Sequence, residues 1–411
     1  MHVLMLLENC SYPRDRRVSG EAKALREAGY EVSVIAPATP RQPVRETVQG
    51  VEVYRYTPPR SGEGPVGYVW EYAYSMTVTF LLCVRVFMHR PFAVIHAANP
   101  PDTFSVIAAF FKLFGVGFVF DHHDLAPEMY YARFAGKGHK FMYKVLLLFE
   151  KLSCRLADHV IATNESYKLA ESARGGIPPE RITVVRNGPE PDRLRPVAPD
   201  VELRNKAACL LGYAGLMGFQ DGVDYLLRAI EHLVYRLGRR DFHCIIVGDG
   251  DAMKSLIALA EQLQITAYVT FAGWVSNTEQ YVRVLSSVDI CVAPEPSNPY
   301  NDRCTMIKIA EYMALEKPIV AFDLPEHRYT AADAAAYVSC NDEAQFARAI
   351  SQLMDDPGKR QRMGRIGRER VLSQFAWKYS VPRLLAAYQA AFATKALPVS
   401  SQSIWGGSRS E

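Results

Sequence analysis

The sequence predicts an α/β protein built from two doubly wound halves, and three observations carry that prediction. Short apolar runs alternate with amphipathic segments from the first residue onward. The alternation breaks at a proline-rich stretch near the middle of the chain and then starts again. Glycines close several of the apolar runs, where the strands of such sheets turn into helices.

The elements follow in order. His2–Leu7 reads as a buried strand, and residues 18–28 as an amphipathic helix closed by Gly29. Glu31–Ala36 is the next strand, followed by Val51–Arg55, Ala93–His96, Gly117–Asp121, His159–Ala162 and Ile182–Val185. Apolar strands separated by helices imply a parallel sheet covered on both faces. Asn187-Gly188-Pro189 and the prolines at 191, 196 and 199 then read as a hinge. The second half opens with Cys209–Ala214, ending in Gly215 with Gly218 and Gly222 close behind. Phe242–Val247 ends in Gly248-Asp249-Gly250, and Ala267–Phe271, Asp289–Ala293 and Ile319–Phe322 complete most of a second sheet. Residues 375–391 suit a closing amphipathic helix, and the Gly/Ser-rich end suits disorder. The expected domains are 1–195 and 196–375, with a closing helix at about 376–395 packing back on the first domain and a tail at 396–411. A ligand cleft between the two halves is the default expectation.

Composition removes several classes of function. The chain has 411 residues, 49% hydrophobic and 22% charged, with a net charge of +3 and no long Lys/Arg run. Nucleic-acid binding therefore has no electrostatic support. The eight cysteines are scattered without CxxC or metal-like spacing, and read as reduced thiols of a cytoplasmic protein. No signal peptide is expected, since the first residues open directly as a strand. The apolar segments around 72–84 and 103–120 are short or broken by Lys112, Gly115 and Gly117, so neither reads as transmembrane.

Lys308 and Glu311 carry the sharpest chemical signal. Three residues apart at the start of a helix, they share one face near unpaired backbone amides. An ammonium there suits a diphosphate, and a carboxylate one turn on suits a ribose diol. The same spacing equally describes an ordinary surface ion pair. The other candidate site is Phe120-Asp121-His122-His123-Asp124, straight after a strand, with Glu128 following. A carboxylate such as Asp124 could orient an imidazole or take a proton from a hydroxyl. A core His beside a solvated one is the plainer alternative. Metal binding there is disfavoured, because adjacent strand side chains point to opposite faces. His96, ending another strand, suits the cleft or the core, and Glu326 suits the cleft or a strand-end cap. Lys137, Lys140, Lys144, Lys151 and Arg155 fall within an arc of about 60° if 137–156 is helical. Phe141, Val145, Leu148 and Leu152 flank that arc, a pattern suited to anionic lipid headgroups or to a core helix with a solvated edge.

These segments together resemble the retaining glycosyltransferases of family 4, which have the two-domain GT-B fold. The resemblance covers nearly all of the chain except the tail. It is carried by EYMALEKPIVAFDLPE (311–326), LGYAGLMGFQDGVDYLLRAI (211–230), VGDG (247–250), FAGWV (271–275), RLADHVIATNES (155–166) and VVRNG (184–188). It implies a nucleotide diphosphate sugar held by the C-terminal domain as co-substrate, with no cofactor and no metal. The acceptor would bind mainly to the N-terminal domain. Glu311 would hold the ribose and Lys308 the diphosphate, above Gly215 and Gly218. Gly250, Trp274 and Val275 would lie near the base. The loop Arg14–Arg17, with Arg16 and Arg17, would face the acceptor. His123-Asp124 matches the family's HD pair and would reach the donor sugar, with His122 beside it.

Two departures bear on these roles. Members commonly carry a first Glu eight residues before the second, where this chain has Arg303. Many also carry an Arg and a Lys after the first C-domain strand, where this chain has Met217-Gly218-Phe219-Gln220-Asp221. Lys308, with Arg303, therefore gains weight in the donor site. The resemblance implies metal-independent transfer of a hexosyl or N-acetylhexosaminyl group. The acceptor would be a saccharide, lipid-linked, in surface polysaccharide biosynthesis at the inner face of the cytoplasmic membrane. A nucleotide-sugar epimerase or hydrolase of the same fold, and a sugar-nucleotide-binding subunit without chemistry, remain as alternatives.

Overall fold

The computed structural model describes residues 1–59, 64–134 and 136–393, and the tail expected at 396–411 lies outside them. The N-terminal strands are β1 (His2–Leu6), β2 (Glu31–Pro37), β3 (Arg45–Val48), β4 (Val51–Tyr56), β5 (Val94–Ala98), β6 (Gly117–His122), β7 (His159–Ala162) and β8 (Ile182–Val184). They form an eight-stranded sheet in the order β3-β4-β2-β1-β5-β6-β7-β8. Every pairing is parallel except the β3–β4 hairpin. The C-terminal strands are β9 (Cys209–Ala214), β10 (Phe242–Val247), β11 (Val269–Gly273), β12 (Ile290–Ala293), β13 (Ile319–Phe322) and β14 (Ala335–Val338). They form a six-stranded, all-parallel sheet in the order β11-β10-β9-β12-β13-β14.

Side-chain alternation explains why the central strands read as unbroken apolar runs. Val3, Met5 and Leu7 enter one core layer while Leu4 and Leu6 enter the layer on the opposite face. In the second domain Leu211 and Tyr213 likewise face one layer, and Leu210 and Ala214 the other. Both faces are covered by helices, so neither can be polar.

Two edge strands, β3 and β14, are absent from the sequence reading. Arg45–Val48 is polar and half-exposed, and Ala335–Val338 is only half-buried, so neither shows the apolar signal of a central strand. The expected strand Ala267–Phe271 starts two residues later, because Thr266–Tyr268 forms a 3₁₀ turn. The apolar stretch 72–84 lies inside the helix Gly64–His89. The stretch 103–120 divides into the helix Phe104–Lys112 and strand β6. Among the described residues no helix is long and apolar enough to cross a membrane.

The chain crosses between the domains twice, and the two crossings touch. The Trp377 amide donates to Pro189 O at 3.0 Å, and Ser380 Oγ donates to Arg186 O at 2.7 Å. A Cβ on Gly188 would stand 2.2 Å from Phe375 O, so the linker can pass only as glycine. After this crossing the helix Val381–Ala393 buries Leu384, Ala387, Tyr388 and Ala391 among Val18, Val119, Ile161 and Val185 of the first domain. A helix from the sequence's second half thus packs into the first domain's core.

Candidate functional site

Lys308 and Glu311 both lie on the helix Ile307–Ala314 and are only 8% and 7% exposed, which excludes a solvated surface pair. They face different partners. Lys308 Nζ lies 2.5 Å from Glu295 Oε1, donates to Tyr213 OH at 2.9 Å, and sits 4.3 Å above the Tyr213 ring. Burial favours the neutral amine, but the Glu295 carboxylate outweighs it and holds the Lys308 pKa well above its usual value. The other Glu295 oxygen lies 3.6 Å from His327 Nε2, on an imidazole kept neutral by burial. A Cβ on Gly215 would stand 2.9 Å from Lys308 Cε and Nζ, so glycine lets the ammonium lie against the β9 turn. Gly218 N donates to Asp221, whose pKa burial pushes up to about 6. The turns after β9 and β10 interlock through Met217 N to Asp249 O and Ala252 N to Met217 O. A Cβ on Gly250 would stand 2.6 Å from Met217 O. Trp274 is exposed after β11, with the Arg14 guanidinium 5.4 Å from its ring centre, and Val275 beside it is half-buried.

Each Glu311 oxygen accepts one short bond. Arg16 Nη1 donates to Oε1 at 2.6 Å and Tyr281 OH donates to Oε2 at 2.5 Å. Arg16 belongs to the first domain, so this ion pair spans the cleft.

On the opposite wall, His123 follows β6 and pairs through Nε2 with Asp121 Oδ2. Arg17 grips the same carboxylate twice, Nε to Oδ2 at 3.0 Å and Nη2 to Oδ1 at 2.6 Å. Burial alone would raise the Asp121 pKa, but Arg17 and His123 hold it well below the carboxylate range. The same Asp121 charge overcomes burial at His123 and raises the imidazole pKa. Asp121 is fully buried while the His123 side chain is 14% exposed, so the pair presents its imidazole to the cleft. Behind it, His96 bonds Tyr388 OH at 2.7 Å and lies 3.3 Å from Glu21 and 3.4 Å from Asp121. Burial opposes its charge, but Asp121 and Glu21 push its pKa up to about 9. Asn99 fixes the strand end, accepting from the His123 and Asp124 amides and donating to Asp124 O.

A third set of contacts joins the domains. Tyr300 OH, from the loop after β12, donates to Asp124 Oδ1 at 2.7 Å. Arg303 Nη1 donates to Pro299 O at 2.9 Å and lies 4.0 Å from Glu128. Glu326 accepts from Ser166 at 2.9 Å, Thr305 at 3.0 Å and Arg186 at 3.1 Å.

Several sequence expectations change against this geometry. Asp121, not Asp124, holds His123: the imidazole Nε2 pairs with Asp121 Oδ2, whereas the Asp124 carboxylate is taken by Tyr300. Arg17 is buried beneath the site and bound to Asp121, Val185 O and Asn187, so it does not face an acceptor. His96 belongs to the same buried network. His122 points to the other face of the sheet, where it is fully buried against Glu171 at 2.9 Å and Glu150 at 3.8 Å. Its own pKa rises to about 9 against burial, because Glu171 and Glu150 favour the cation. Arg303 is bonded to Pro299 O and lies near Glu128 of the facing domain. Glu128 is itself held by Arg174, and Glu326 pins the domain seam. Lys137 precedes the helix Lys140–Leu156, so the helical basic stripe begins at Lys140.

Tyr213, Tyr281, Asn99 and Tyr300 enter the site without a signal in the sequence, and Glu295, which lies near the missing first Glu but off its expected spacing, enters it as the partner of Lys308. Glu295 lies 13 positions from Lys308 with a loop between them, a separation that no helical or strand period reveals. Glu21, His96 and Asp121 bring one ligand atom each within 4.8 Å of one another. The Arg17 guanidinium already supplies the cation there, at 3.3 Å from Glu21 and 2.6 Å from Asp121. The site therefore offers a buried ammonium, a carboxylate held by one buried and one exposed donor, and on the facing wall an imidazole whose pKa is raised by Asp121. Fixed charges of this kind are suited to an anionic ligand.

Comparison with known proteins agrees with this layout. Residues 15–188 match the family model described as glycosyl transferase 4-like domain, and residues 208–356 match that described as glycosyl transferases group 1. The chain is 26% identical over 305 residues to alpha-maltose-1-phosphate synthase of Mycolicibacterium smegmatis, covering 67% of this chain and 74% of that protein. It is 28% identical over 192 residues to the lipopolysaccharide core biosynthesis glycosyltransferase LpsD of Rhizobium meliloti, covering 45% of this chain and about half, 52%, of that protein. Among solved structures, sucrose-phosphate synthase of Thermosynechococcus elongatus aligns with a TM-score of 0.77 at 18% identity, covering 96% of this chain and all of that one. HepE of Anabaena, solved in complex with UDP-glucose, aligns with a TM-score of 0.70 at 17% identity over 95% of this chain and all of that one. At these identities the structural likenesses establish the fold, which is GT-B: two Rossmann-like domains with a cleft between them.

Proposed function

We propose, on the premise that this chain is a glycosyltransferase of the GT-B fold, that it moves a sugar from a nucleotide diphosphate sugar to a saccharide acceptor with retention of configuration. The observation that carries this reading is the pairing of a buried Lys308 ammonium against the Gly215 turn with Glu311 one helical turn away. Glu311 takes the ribose hydroxyls, and Lys308 meets the charge that develops on the departing diphosphate. His123, held by Asp121, faces the same cleft and contacts the transferring sugar. The carboxylates nearest His123 are committed, Asp121 to Arg17 and Asp124 to Tyr300, so no covalent sugar–enzyme intermediate is assigned. Charged residues of the site supply the electrostatic work, and the proposed reaction needs no metal.

A surface and a relative together support a reading of the acceptor class. The helix Lys140–Leu156 exposes Lys140, Lys144, Lys151 and Arg155 beside Phe141 at 77% and Leu148 at 62% exposure. A basic stripe flanked by exposed apolar side chains suits the headgroup region of an anionic membrane. The similarity to a lipopolysaccharide core enzyme points the same way. The proposed acceptor is therefore a lipid-linked saccharide of surface-polysaccharide assembly, reached from the cytoplasmic leaflet.

Thermal shift with UDP, GDP and ADP tests the donor site. One of the three is expected to raise the melting temperature of the wild type and to leave Glu311→Ala almost unmoved. No response from the wild type, or an equal response from the variant, would overturn the assignment.

A further inference from the structure

The donor-site cations do not balance a diphosphate. Lys308 is neutralised by Glu295 at 2.5 Å, and residues 215–222 contain no Lys or Arg. A bound diphosphate brings roughly two negative charges into a cleft whose one buried ammonium is already matched. Glu311, meanwhile, is committed on both oxygens. Of its two donors, Tyr281 is 8% exposed and anchored in the second domain's core. Arg16 is the exposed one, at 65%, and its guanidinium lies 5.8 Å from the Tyr281 ring centre. A ribose diol reaching Glu311 from solvent must therefore displace Arg16 rather than Tyr281.

We infer that Arg16 is the second diphosphate cation, parked on Glu311 in the free protein and handed to the phosphates when ribose takes that carboxylate. This rests on the donor reading above. Lys308 and Glu311 share a helix face three residues apart, so their Cβ atoms are about 5–6 Å from one another. A long arginine pivoting by that distance exchanges one anion for another without leaving the cleft, and its planar fork matches a phosphate. The exchange also carries specificity. A nucleoside alone must break the Arg16–Glu311 pair without offering Arg16 a new partner, whereas a nucleoside diphosphate breaks it and replaces it. Because Arg16 is in the first domain and Glu311 in the second, the same contact holds the cleft closed when empty and is re-formed through the ligand when full.

The test compares wild type, Arg16→Gln, Arg16→Lys and Glu311→Gln, all as the full chain. Binding of UDP, GDP and ADP is measured by calorimetry, and of uridine, guanosine and adenosine by NMR titration to millimolar concentration. For the base that binds, Arg16→Gln is expected to weaken the diphosphate at least tenfold while leaving the nucleoside unchanged or tighter. Arg16→Lys should recover part of the loss. Glu311→Gln should weaken nucleoside and diphosphate alike, which reports the ribose contact separately from Arg16. The exposed Arg16 side chain makes its variants safe for folding, and unchanged melting curves check this. An equal loss of nucleoside and diphosphate in Arg16→Gln, or no loss of either, overturns the inference while the Glu311 response still upholds the donor site. Wild-type protein that binds none of the diphosphates overturns both.

Discussion

Glu295 Oε1 stands 2.5 Å from Lys308 Nζ, with both side chains withdrawn from water. The pair joins the loop after β12 to the first turn of the Ile307–Ala314 helix, at the proposed donor site. Neither charge is stable there alone. Breaking a buried pair by removing one partner typically costs about 3–5 kcal/mol, since the other is left unpaired.

Glu295→Ala should therefore lower unfolding free energy by about 3 kcal/mol in urea denaturation, with nucleotide response lost as Lys308 moves. The double variant Glu295→Ala/Lys308→Met should recover much of the stability and none of the binding. A Glu295→Ala protein as stable as wild type would show that water relieves the lysine.

The role of Asp121 separates from that of Asp124 by kinetics. Asp121→Asn keeps the shape but removes the charge that raises the His123 pKa, and should cut kcat/KM for the donor found by thermal shift by about two decades. Asp124→Asn, which loosens only the Tyr300 contact, should cost about tenfold or less, and Tyr300→Phe should match it. The reverse order would return the orienting role to Asp124.

Stability should fall in mild alkali. His96 and His122 are each raised to about 9 in the folded protein, against about 6.5 when unfolded. A raised pKa means the folded state binds the proton more tightly, so the contribution is complete below pH 6.5 and is lost as pH rises through 9. The slope is at most about 1.4 kcal/mol per pH unit for each group. Denaturation at pH 6.5, 8 and 9.5 should show this decline, and His96→Asn should reduce it by about half, since His122 still contributes. A flat wild-type profile would mean that both imidazoles are neutral.

Vesicle binding tests the basic stripe. Each lysine near an anionic surface contributes about 1 kcal/mol, so changing Lys140, Lys144 and Lys151 together to Glu should weaken sedimentation with phosphatidylserine vesicles by at least two decades. Binding by wild type should also weaken with salt. Unchanged or salt-insensitive binding would remove the membrane from the proposed function.

Local patterns carried most of the architecture. Val3–Leu7, Val119–Phe120 and Leu210–Ala214 are apolar on both strand faces, and that alone implies covered parallel sheets. The residue types and spacing of Lys308, Glu311 and the His-His-Asp run drew attention to them, but not to the partners that hold them. The edge strands Arg45–Val48 and Ala335–Val338 were not legible, because a half-exposed strand lacks the apolar signal. His122 and His123 look alike in sequence, and only the fold puts one, the last residue of β6, into the core against Glu171 and the other, just past the strand, on Asp121 at the partly exposed edge.

The amino-acid sequence by itself thus determined the two α/β sheets and the residue types available to the proposed site. Tertiary structure alone decided who neutralises whom: Glu295 for Lys308, Asp121 for His123, Arg17 for Asp121, and Arg16 for Glu311 across the cleft. The physical reason is that burial and repeat are local properties, written into each segment by the period of its backbone. Charge pairing instead acts over a few ångströms of space between groups separated by tens or hundreds of residues, and only the packing of both domains sets those distances.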